Sequence, residues 1–373
     1  MLYLRWNNLL ITQCSADIMK DTNSNRPRLL IIYTGGTIGM IENPDSRALE
    51  PFDFDHLIDN VPKLKMLDFD IDNFQFSKPI DSSMMTPGHW SDIARVIESH
   101  YDSYDGFVVL HGTDTMAFTA SGLSFMLENL DKPVIITGSQ LPIGEVRTDG
   151  EENLITALQI AAARCSDGKP VVREVAILFQ NYLLRGNRSI KYSADNFDAF
   201  RSPNYPPLAT VGLGITYNCD ALRHRPEVTG KLKVHYNMDS NIVVLGLFPG
   251  ISEMVVKHIL DLPNIRGIVL RTFGAGNGPC NAWFLDAIRK TVERGVIIVN
   301  VTQCSNGSVL PSRYETGQKL ASSGLIPGHD MTTEAAIAKM MYLLGSDLTP
   351  DQVKKGMVTS LRGELSSDLS TEP

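Results

Sequence analysis

The run Leu29-Leu30-Ile31-Ile32-Tyr33, followed by Thr34-Gly35-Gly36-Thr37-Ile38-Gly39, decides the fold prediction. The run is rich in branched residues and too short for a typical helix, so it predicts a buried strand. Gly35 and Gly36 permit a tight reversal of the backbone after that strand. Because open α/β sheets bind ligands at the carboxyl ends of their strands, the Thr37 hydroxyl is a candidate functional group.

A second strand–turn unit has the same design. The apolar run Gly106 to Leu110 leads into His111-Gly112-Thr113-Asp114-Thr115-Met116. A lone glycine-rich turn more often serves only the reversal of the chain or cradles a phosphate, but neither loop matches the dinucleotide or P-loop pattern. Two threonines at two such turns, with Asp114 beside Thr113, favour hydroxyl-based nucleophilic chemistry.

Strands and helices alternate along most of the chain, which predicts two α/β domains. We expect a larger N-terminal domain with a mixed, mostly parallel sheet and a smaller C-terminal domain with a parallel sheet. The predicted boundaries are an N-terminal extension over 1–27, a catalytic domain over 28–217, a linker over 218–239 and a second domain over 240–373.

Periodicity and apolar runs give the individual elements. The predicted strands are Leu29–Tyr33, Phe107–Leu110, Val134–Thr137, Val175–Phe179, Ile242–Leu247, Gly267–Leu270 and Val296–Val301. The predicted helices are Trp90–Glu98, Met116–Leu130, Glu152–Arg164, Ser252–Leu260, Ala282–Glu293, Thr333–Leu344 and Asp351–Met357.

Composition excludes several classes of protein. The 373 residues carry a net charge of −8, and no dense basic run is present, which argues against nucleic-acid binding. No apolar segment approaches the ~18–20 residues that span a bilayer, so no membrane association is expected. The five scattered cysteines form no C-x-x-C pair, which predicts reduced thiols, a cytoplasmic setting and no metal site.

Four segments carry the candidate chemistry: Thr37, Asp81-Ser82-Ser83, Thr113-Asp114, and Lys191 after the polar turn that begins at Arg185. A threonine hydroxyl is a poor nucleophile until a base removes its proton, and a lysine in a suitable environment can act as that base. Thr113 would then relay the proton, and Asp114 would orient the amine.

Each member of this set also has a simpler explanation. Lys191 could be a solvated surface lysine, Asp114 could cap the helix that begins near Thr115, and Ser82-Ser83 could cap the helix near Trp90. The combination of residues therefore carries the inference.

The chain resembles the cytoplasmic, bacterial-type (type I) L-asparaginases. The matching segments occur in family order from Leu29 to about Leu365. They are Tyr33 to Met40, Asp81 to Ser83, His111 to Met116, Gly138 to Gln140, Tyr182 to Lys191, Leu270-Arg271 with Gly274 to Asn277, and Asn300 to Cys304.

The resemblance implies roles at the matching positions. Thr37 would attack the side-chain carboxamide of L-asparagine, with Thr113, Asp114 and Lys191 assisting, although the sequence leaves Thr113 open as the nucleophile. The serine of the Asp81-Ser82-Ser83 substrate-binding segment would hold the α-carboxylate, Asp114 would hold the ammonium group, and Asn277 would reach a neighbouring site. The resemblance also implies a homo-oligomer, a dimer of dimers, and no cofactor. Discrimination between asparagine and glutamine, which differ by one methylene, is left open.

Two departures from the family affect these expectations. Leu49 stands in the lid where many members have a tyrosine, and Tyr314 from a neighbouring subunit is the predicted substitute, against the alternative of a surface turn. Regulated members bind asparagine at an allosteric site, which Arg271, Thr302 and Cys304 match. Ile190 replaces a typical polar residue there, which puts cooperativity in doubt. Arg271 could instead serve in an interface or a structural ion pair.

Two other functions remain as alternatives. One is an amide-processing subunit that resembles the archaeal Glu-tRNA amidotransferase subunit, which the short segment before the first strand disfavours. The other is a non-catalytic metabolite sensor, which the intact set of Thr37, Thr113, Asp114 and Lys191 disfavours.

Overall fold

The computed structural model describes residues 26–42, 49–51, 61–223 and 228–366, so the predicted N-terminal extension lies almost wholly outside the described residues. The strands are β1 (Arg28–Tyr33), β2 (Met40–Glu42), β3 (Leu49–Pro51), β4 (Asp70–Gln75), β5 (Gly106–Leu110), β6 (Leu127–Glu128), β7 (Val134–Thr137), β8 (Val175–Phe179), β9 (Tyr182–Arg185), β10 (Ile190–Lys191), β11 (Phe200–Arg201), β12 (Ala209–Val211), β13 (Ile215–Tyr217), β14 (Lys233–Val234), β15 (Ile242–Gly246), β16 (Gly267–Thr272), β17 (Ile297–Thr302) and β18 (Ile326–Pro327). The α-helices are α1 (Pro87–His100), α2 (Met116–Met126), α3 (Gly150–Ala162), α4 (Cys219–Arg223), α5 (Glu253–Leu260), α6 (Ala282–Glu293), α7 (Glu315–Ser322), α8 (Thr333–Gly345) and α9 (Pro350–Val358).

The N-terminal domain is built on an eight-stranded sheet with the order β13-β12-β9-β8-β7-β5-β1-β4. The five strands from β8 to β4 are parallel, and the three from β9 to β13 are antiparallel. The prediction of a mixed, mostly parallel sheet is therefore confirmed.

The strand β1 lies inside this sheet and has a core on each face. Leu29 and Ile31 pack with α3 on one face, whereas Leu30 and Ile32 pack with α1 and α2 on the other. Burial on both faces explains why the strand reads as a continuous apolar run instead of an alternating one.

The C-terminal domain contains the four-stranded parallel sheet β15-β16-β17-β18, as the sequence predicted. Helices cover both of its faces: α5 and α6 contribute to one core, and α8 and α9 contribute to the other. No helix in the described part of the chain has the length and apolar character needed to cross a membrane.

The helix predicted over Met116–Leu130 is too long. Helix α2 ends at Met126 because the next two residues form β6, which pairs with β14 in the predicted linker. Pairing across the fold thus overrides the local helical pattern. The predicted linker also contains the short helix α4.

The C-terminal strap, residues 361–366, joins the two domains. Asn187 and Arg188 of the first domain donate hydrogen bonds to the carbonyls of Arg362 (2.9 Å) and Gly363 (2.7 Å). From the second domain, Lys339 forms a fully buried ion pair with Glu364 at 2.6 Å.

Replacing Glu364 by glutamine should destabilise the protein by about 3–5 kcal/mol, because it leaves the Lys339 ammonium buried beside a neutral partner. Burial raises the pKa of Glu364, but Lys339 and the Leu361 and Arg362 amides lower it by a larger amount. Glu364 is therefore an ionised carboxylate in the folded protein. Urea unfolding measures the difference. The matched control is Glu315→Gln, which breaks an exposed pair with Lys319 and should change little. Equal unfolding midpoints for the two variants would contradict this prediction.

Candidate active site

The turn after β1 is hydrogen-bonded to the end of β5 on one side and to the segment after β4 on the other. The Thr34 amide and hydroxyl both donate to the Leu110 carbonyl at the end of β5, at 3.1 and 2.9 Å. On the other side, the Ile80 amide donates to the Thr34 carbonyl at 2.7 Å. The first turn therefore lies between the second turn and the segment that contains Ser82.

Three glycine positions bring these segments into direct backbone contact. A Cβ atom at Gly35 would lie 2.3 Å from the Ile80 oxygen, and one at Gly36 would lie 2.5 Å from the Gly112 nitrogen. A Cβ atom at Gly112 would lie 2.5 Å from the Ser82 hydroxyl oxygen. The two turn glycines also have φ values of 131° and 92°, which other residues rarely adopt. Glycine is required here because the turns approach one another too closely for a side chain.

Thr37 begins a single 3₁₀ turn, Thr37–Gly39, directly after this junction. It is half-buried, and its hydroxyl has no hydrogen-bond partner among the described residues. The buried Tyr33 hydroxyl donates to the Gly39 carbonyl at 3.0 Å and so links the end of β1 to the end of the 3₁₀ turn. Burial raises the pKa of Tyr33 to about 12, so this phenol stays neutral and structural.

Lys191 reaches the second turn from β10. Its Nζ atom lies 2.8 Å from the Thr113 hydroxyl and 2.6 Å from an Asp114 carboxylate oxygen. The lysine side chain is only 17% exposed, so it is not a solvated surface lysine, whereas the Asp114 side chain is 62% exposed. Asp114 does not cap α2, since Thr115 occupies the N-cap position. The structure thus joins Lys191, Thr113 and Asp114 in one hydrogen-bonded group.

Gln140 supports this group from the end of β7. Its side-chain amide donates to the carbonyls of Ala194 (3.2 Å) and Asn196 (3.0 Å) in the turn after Lys191, and the Thr113 hydroxyl donates to its oxygen at 3.4 Å. Its backbone amide donates to the buried Asp149 carboxylate at 3.0 Å. Sequence reasoning quoted Gln140 only as part of a matching segment and gave it no role.

His111 is a second supporting residue that sequence reasoning did not assign. Thr119 accepts a hydrogen bond from the Trp90 indole at 3.0 Å and lies 2.9 Å from the His111 Nε2 atom. The network therefore indicates that Nδ1–H donates to the Gly112 carbonyl, 2.6 Å away. Burial lowers the pKa of His111 to about 4, although the bond to Gly112 opposes the shift, so the ring is neutral near pH 7. A neutral buried ring fixes the second turn without adding charge to the site.

The predicted carboxylate-binding segment directly follows Ile80, whose amide binds the first turn. Asp81 accepts the Ser83 amide at 2.9 Å and thereby begins the 3₁₀ turn Ser82–Met84. Ser82 is buried against Gly112, and its carbonyl accepts the Thr115 hydroxyl at 2.7 Å. Neither serine caps the helix near Trp90, where Thr86 is the N-cap.

The remaining predicted catalytic and substrate-binding residues lie in the C-terminal domain. Tyr314 is 49% exposed, with Arg313 over its ring, and it is the N-cap residue of α7. Asn277 accepts the Thr316 hydroxyl at 2.7 Å. Neither has a described hydrogen bond to the Lys191 group. The predicted lid spans roughly Met40 to Pro51. Leu49 begins β3, which pairs with β2, and residues 43–48 of the lid lie outside the described residues.

The predicted allosteric residues lie at the carboxyl ends of β16 and β17. The Nε atom of Arg271 is buried and has no hydrogen-bond partner among the described residues. Burial raises the pKa of nearby Glu334, with Arg271 opposing the shift. The Thr302 hydroxyl donates to the Gly274 carbonyl at 2.7 Å and accepts the Cys304 amide at 3.0 Å. No salt bridge of Arg271 exists in the described part of the chain to support a structural ion pair.

Comparisons with known proteins identify the family and the fold. The asparaginase N-terminal family model matches residues 28–223, and the glutaminase/asparaginase C-terminal domain model matches residues 241–357. The chain is 44% identical to L-asparaginase 1 of Escherichia coli strain K12 over 344 residues, which cover 91% of this chain and 98% of that protein. It is also 43% identical to the mouse 60 kDa lysophospholipase, covering 91% of this chain but 62% of that protein. The crystal structure of L-asparaginase I from Vibrio cholerae matches with a TM-score of 0.83 and 42% identity, covering 92% of this chain and all of that one.

Proposed function

The chain belongs to the asparaginase family, and from that premise we propose that it hydrolyses L-asparagine to L-aspartate and ammonia. One observation carries the proposal: the Lys191 amine contacts both Thr113 (2.8 Å) and Asp114 (2.6 Å) where the glycine turns meet. A nucleophile, a proton acceptor and an orienting carboxylate are the groups that amide hydrolysis requires.

In the proposed mechanism, the Thr37 oxygen attacks the side-chain carboxamide carbon, and its proton passes through the Thr113 hydroxyl to the Lys191 amine. The carbon–nitrogen bond then breaks as the leaving nitrogen takes that proton, so ammonia departs and a β-aspartyl ester remains. Water attacks the ester, and its proton follows the same route and returns to Thr37 as the ester bond breaks. General-base assistance of this kind contributes roughly 10²–10⁴ in rate.

The substrate is a zwitterion, and we assign its two charges to the two sides of the junction. Asp114 would bind the ammonium group, since its carboxylate is exposed and is engaged on one side by Lys191. The serine of the Asp81-Ser82-Ser83 segment would bind the α-carboxylate through its hydroxyl, together with backbone donors of that segment. Backbone amides of the turns would stabilise the oxyanion, a contribution typically of ~10²–10³ in rate.

The test is ammonia release from L-asparagine and L-glutamine by the purified full-length protein. Release from free asparagine supports the proposal and separates it from both alternatives, because neither a sensor nor an amidotransferase subunit needs to hydrolyse the free amino acid. Absence of release from both amides, by protein shown to be folded, would refute it. The ratio of the two rates reports the preference that the sequence leaves open.

A homo-oligomer, a dimer of dimers, belongs to the same proposal. Tyr314 is exposed on the C-terminal domain, where it would be available to a neighbouring subunit's site, and Asn277 would contact such a site from the same domain. The resemblance to type I enzymes also supports a cytoplasmic location and no cofactor.

Regulation by asparagine at a second site is the last part of the proposal. The buried Nε atom of Arg271, which has no hydrogen-bond partner among the described residues, suits a ligand carboxylate. A cavity of about 550 Å³ is lined by Ile190 and by Ser305, the residue that follows Cys304. Coupling between the two sites predicts a sigmoidal dependence of rate on asparagine concentration.

We expect the wild type to give a Hill coefficient above one and Arg271→Met to give a coefficient of one with an unchanged limiting kcat. Steady-state rates over a wide range of asparagine concentrations measure both. Hyperbolic kinetics in the wild type would show that Ile190 has removed the regulation.

A further inference from the structure

We propose that Arg188 is a positioning residue for Lys191, through which the C-terminal domain sets the geometry of the site in the N-terminal domain. This inference rests on the function proposed above. Arg188 lies in the 3₁₀ turn Gly186–Arg188, three positions before Lys191, and its side chain is 1% exposed.

The guanidinium of Arg188 directs its described hydrogen bonds to the C-terminal domain. Its Nη1 atom contacts the Asp330 carboxylate at 2.8 Å, its Nε atom donates to the Gly363 carbonyl at 2.7 Å, and its Nη2 atom donates to the Ser366 hydroxyl at 3.3 Å. Bonds from three nitrogens fix the direction of the planar group as well as its distance. The turn before Lys191 is therefore held by residues 142 to 178 positions away.

Asp330 is held equally firmly. Its two oxygens also accept the Ser366 amide at 2.9 Å and the Ser366 hydroxyl at 2.6 Å. Burial raises the pKa of Asp330, but Arg188 and Ser366 lower it by more, so the carboxylate stays charged. Asn187 adds a bond from the turn to the Arg362 carbonyl at 2.9 Å. The strap and Asp330 thus form one rigid support for the turn.

Other restraints act after Lys191, where Gln140 binds the carbonyls of Ala194 and Asn196, and fewer act on the strand that carries the lysine. Strand β10 has two residues, and among the described strands it pairs only with the two residues of β11. Such a short hairpin is not stable by itself. On the other side, Gly186 packs closely against β8, where a Cβ atom would lie 3.0 Å from the Val175 carbonyl oxygen. The backbone that leads into Lys191 is consequently set by the turn, which Gly186 anchors at one end and Arg188 at the other.

The chemistry of the site makes this position important. The Lys191 amine must stay within hydrogen-bonding distance of Thr113 to exchange a proton, and a shift of about 1 Å can cost about 10²-fold in rate. A buried ion pair is by itself weak evidence for stability, because desolvation offsets much of the attraction. A charged, fully bonded pair at this location is therefore explained by the geometry that it imposes on the turn.

A double-mutant cycle on the full-length protein tests the inference. We expect Arg188→Met to lower kcat for asparagine by about 10- to 10²-fold in the wild-type background, and to have no further effect on kcat in a Lys191→Met background. A role in general stability would instead lower kcat by the same factor in both backgrounds. All rates are measured well below the unfolding temperature of each variant.

The matched control is Asp239→Asn, which breaks another ion pair with a largely buried carboxylate, the one to Arg266 at 2.6 Å. This variant should lower thermal stability and leave kcat unchanged, because neither residue contacts the turn. If Arg188→Met does not fold, Arg188→Lys takes its place, because it retains the charge beside Asp330 and loses the fork of donors. Its kcat is then measured in the wild-type and Lys191→Met backgrounds.

Equal effects in the two backgrounds, or a folded Arg188 variant with wild-type kcat, would overturn the inference. Those outcomes leave the proposed function intact, since the wild type still releases ammonia. Failure of the proposed function has a different signature, namely no ammonia release by the wild type itself.

Discussion

Replacing Thr37 by alanine is expected to lower kcat for L-asparagine by about 10⁴-fold or more, because removal of a nucleophile abolishes the covalent route. The thermal unfolding temperature should change little, since the hydroxyl has no hydrogen-bond partner among the described residues. Thr37→Ser is the matched control: it retains the oxygen and should retain measurable activity. Ammonia release by the three proteins under saturating substrate gives the comparison.

The competing candidate is Thr113, and a parallel variant distinguishes the two. Thr113 donates to Gln140 and accepts from Lys191, so it is already engaged on both sides, whereas Thr37 is not. We therefore expect Thr113→Ala to lower kcat through loss of the relay and to retain slow formation of the β-aspartyl ester. Mass spectrometry of protein quenched with substrate detects that adduct. An adduct on Thr37→Ala, with none on Thr113→Ala, would assign the nucleophile to Thr113.

The strands of the N-terminal sheet differ in how visible they are in the sequence. Strands β1, β5, β7 and β8 could be predicted because burial on both faces produces continuous apolar runs. Strand β4, Asp70-Ile71-Asp72-Asn73-Phe74-Gln75, lies at the sheet edge and is largely polar, so no apolar run marks it. The antiparallel strands β12 and β13 have three residues each, which is too short for a period to be read.

The sequence indicated the candidate catalytic residues, but it did not indicate the buried residues that hold them in place. Glycine-rich turns after apolar strands marked Thr37 and Thr113, since the backbone conformation that they need restricts the residue type. No feature of the neighbouring sequence indicates that Arg188 or Asp330 is buried, because charged residues are usually exposed. Their pairing depends on a contact between residues 142 positions apart. The supports are long-range contacts between domains, which a single sequence does not encode in any periodic pattern.

Lys191 gives the second large expected effect. Lys191→Met preserves most of the buried side-chain length and removes the amine, and we expect kcat to fall by about 10²–10⁴-fold, the usual contribution of a positioned general base. The effect is expected because the amine is the group that receives the proton from Thr37 through Thr113. The Asp114 carboxylate, which the amine contacts at 2.6 Å, would also lose its partner.

Lys191→Arg separates proton transfer from fixed charge. Arginine keeps a positive group beside Thr113 and Asp114, but its guanidinium does not deprotonate in proteins, so it cannot accept the proton. If the amine acts as a base, both variants should lose activity to a similar extent. If its role were to supply only a positive charge, Lys191→Arg would recover most of the rate. Lys319→Met, which removes an exposed lysine that pairs with Glu315, is the matched control and should behave as the wild type. Activity of Lys191→Arg within tenfold of the wild type would therefore contradict the relay, because a hydroxyl beside a permanent cation has no base to which it can pass its proton.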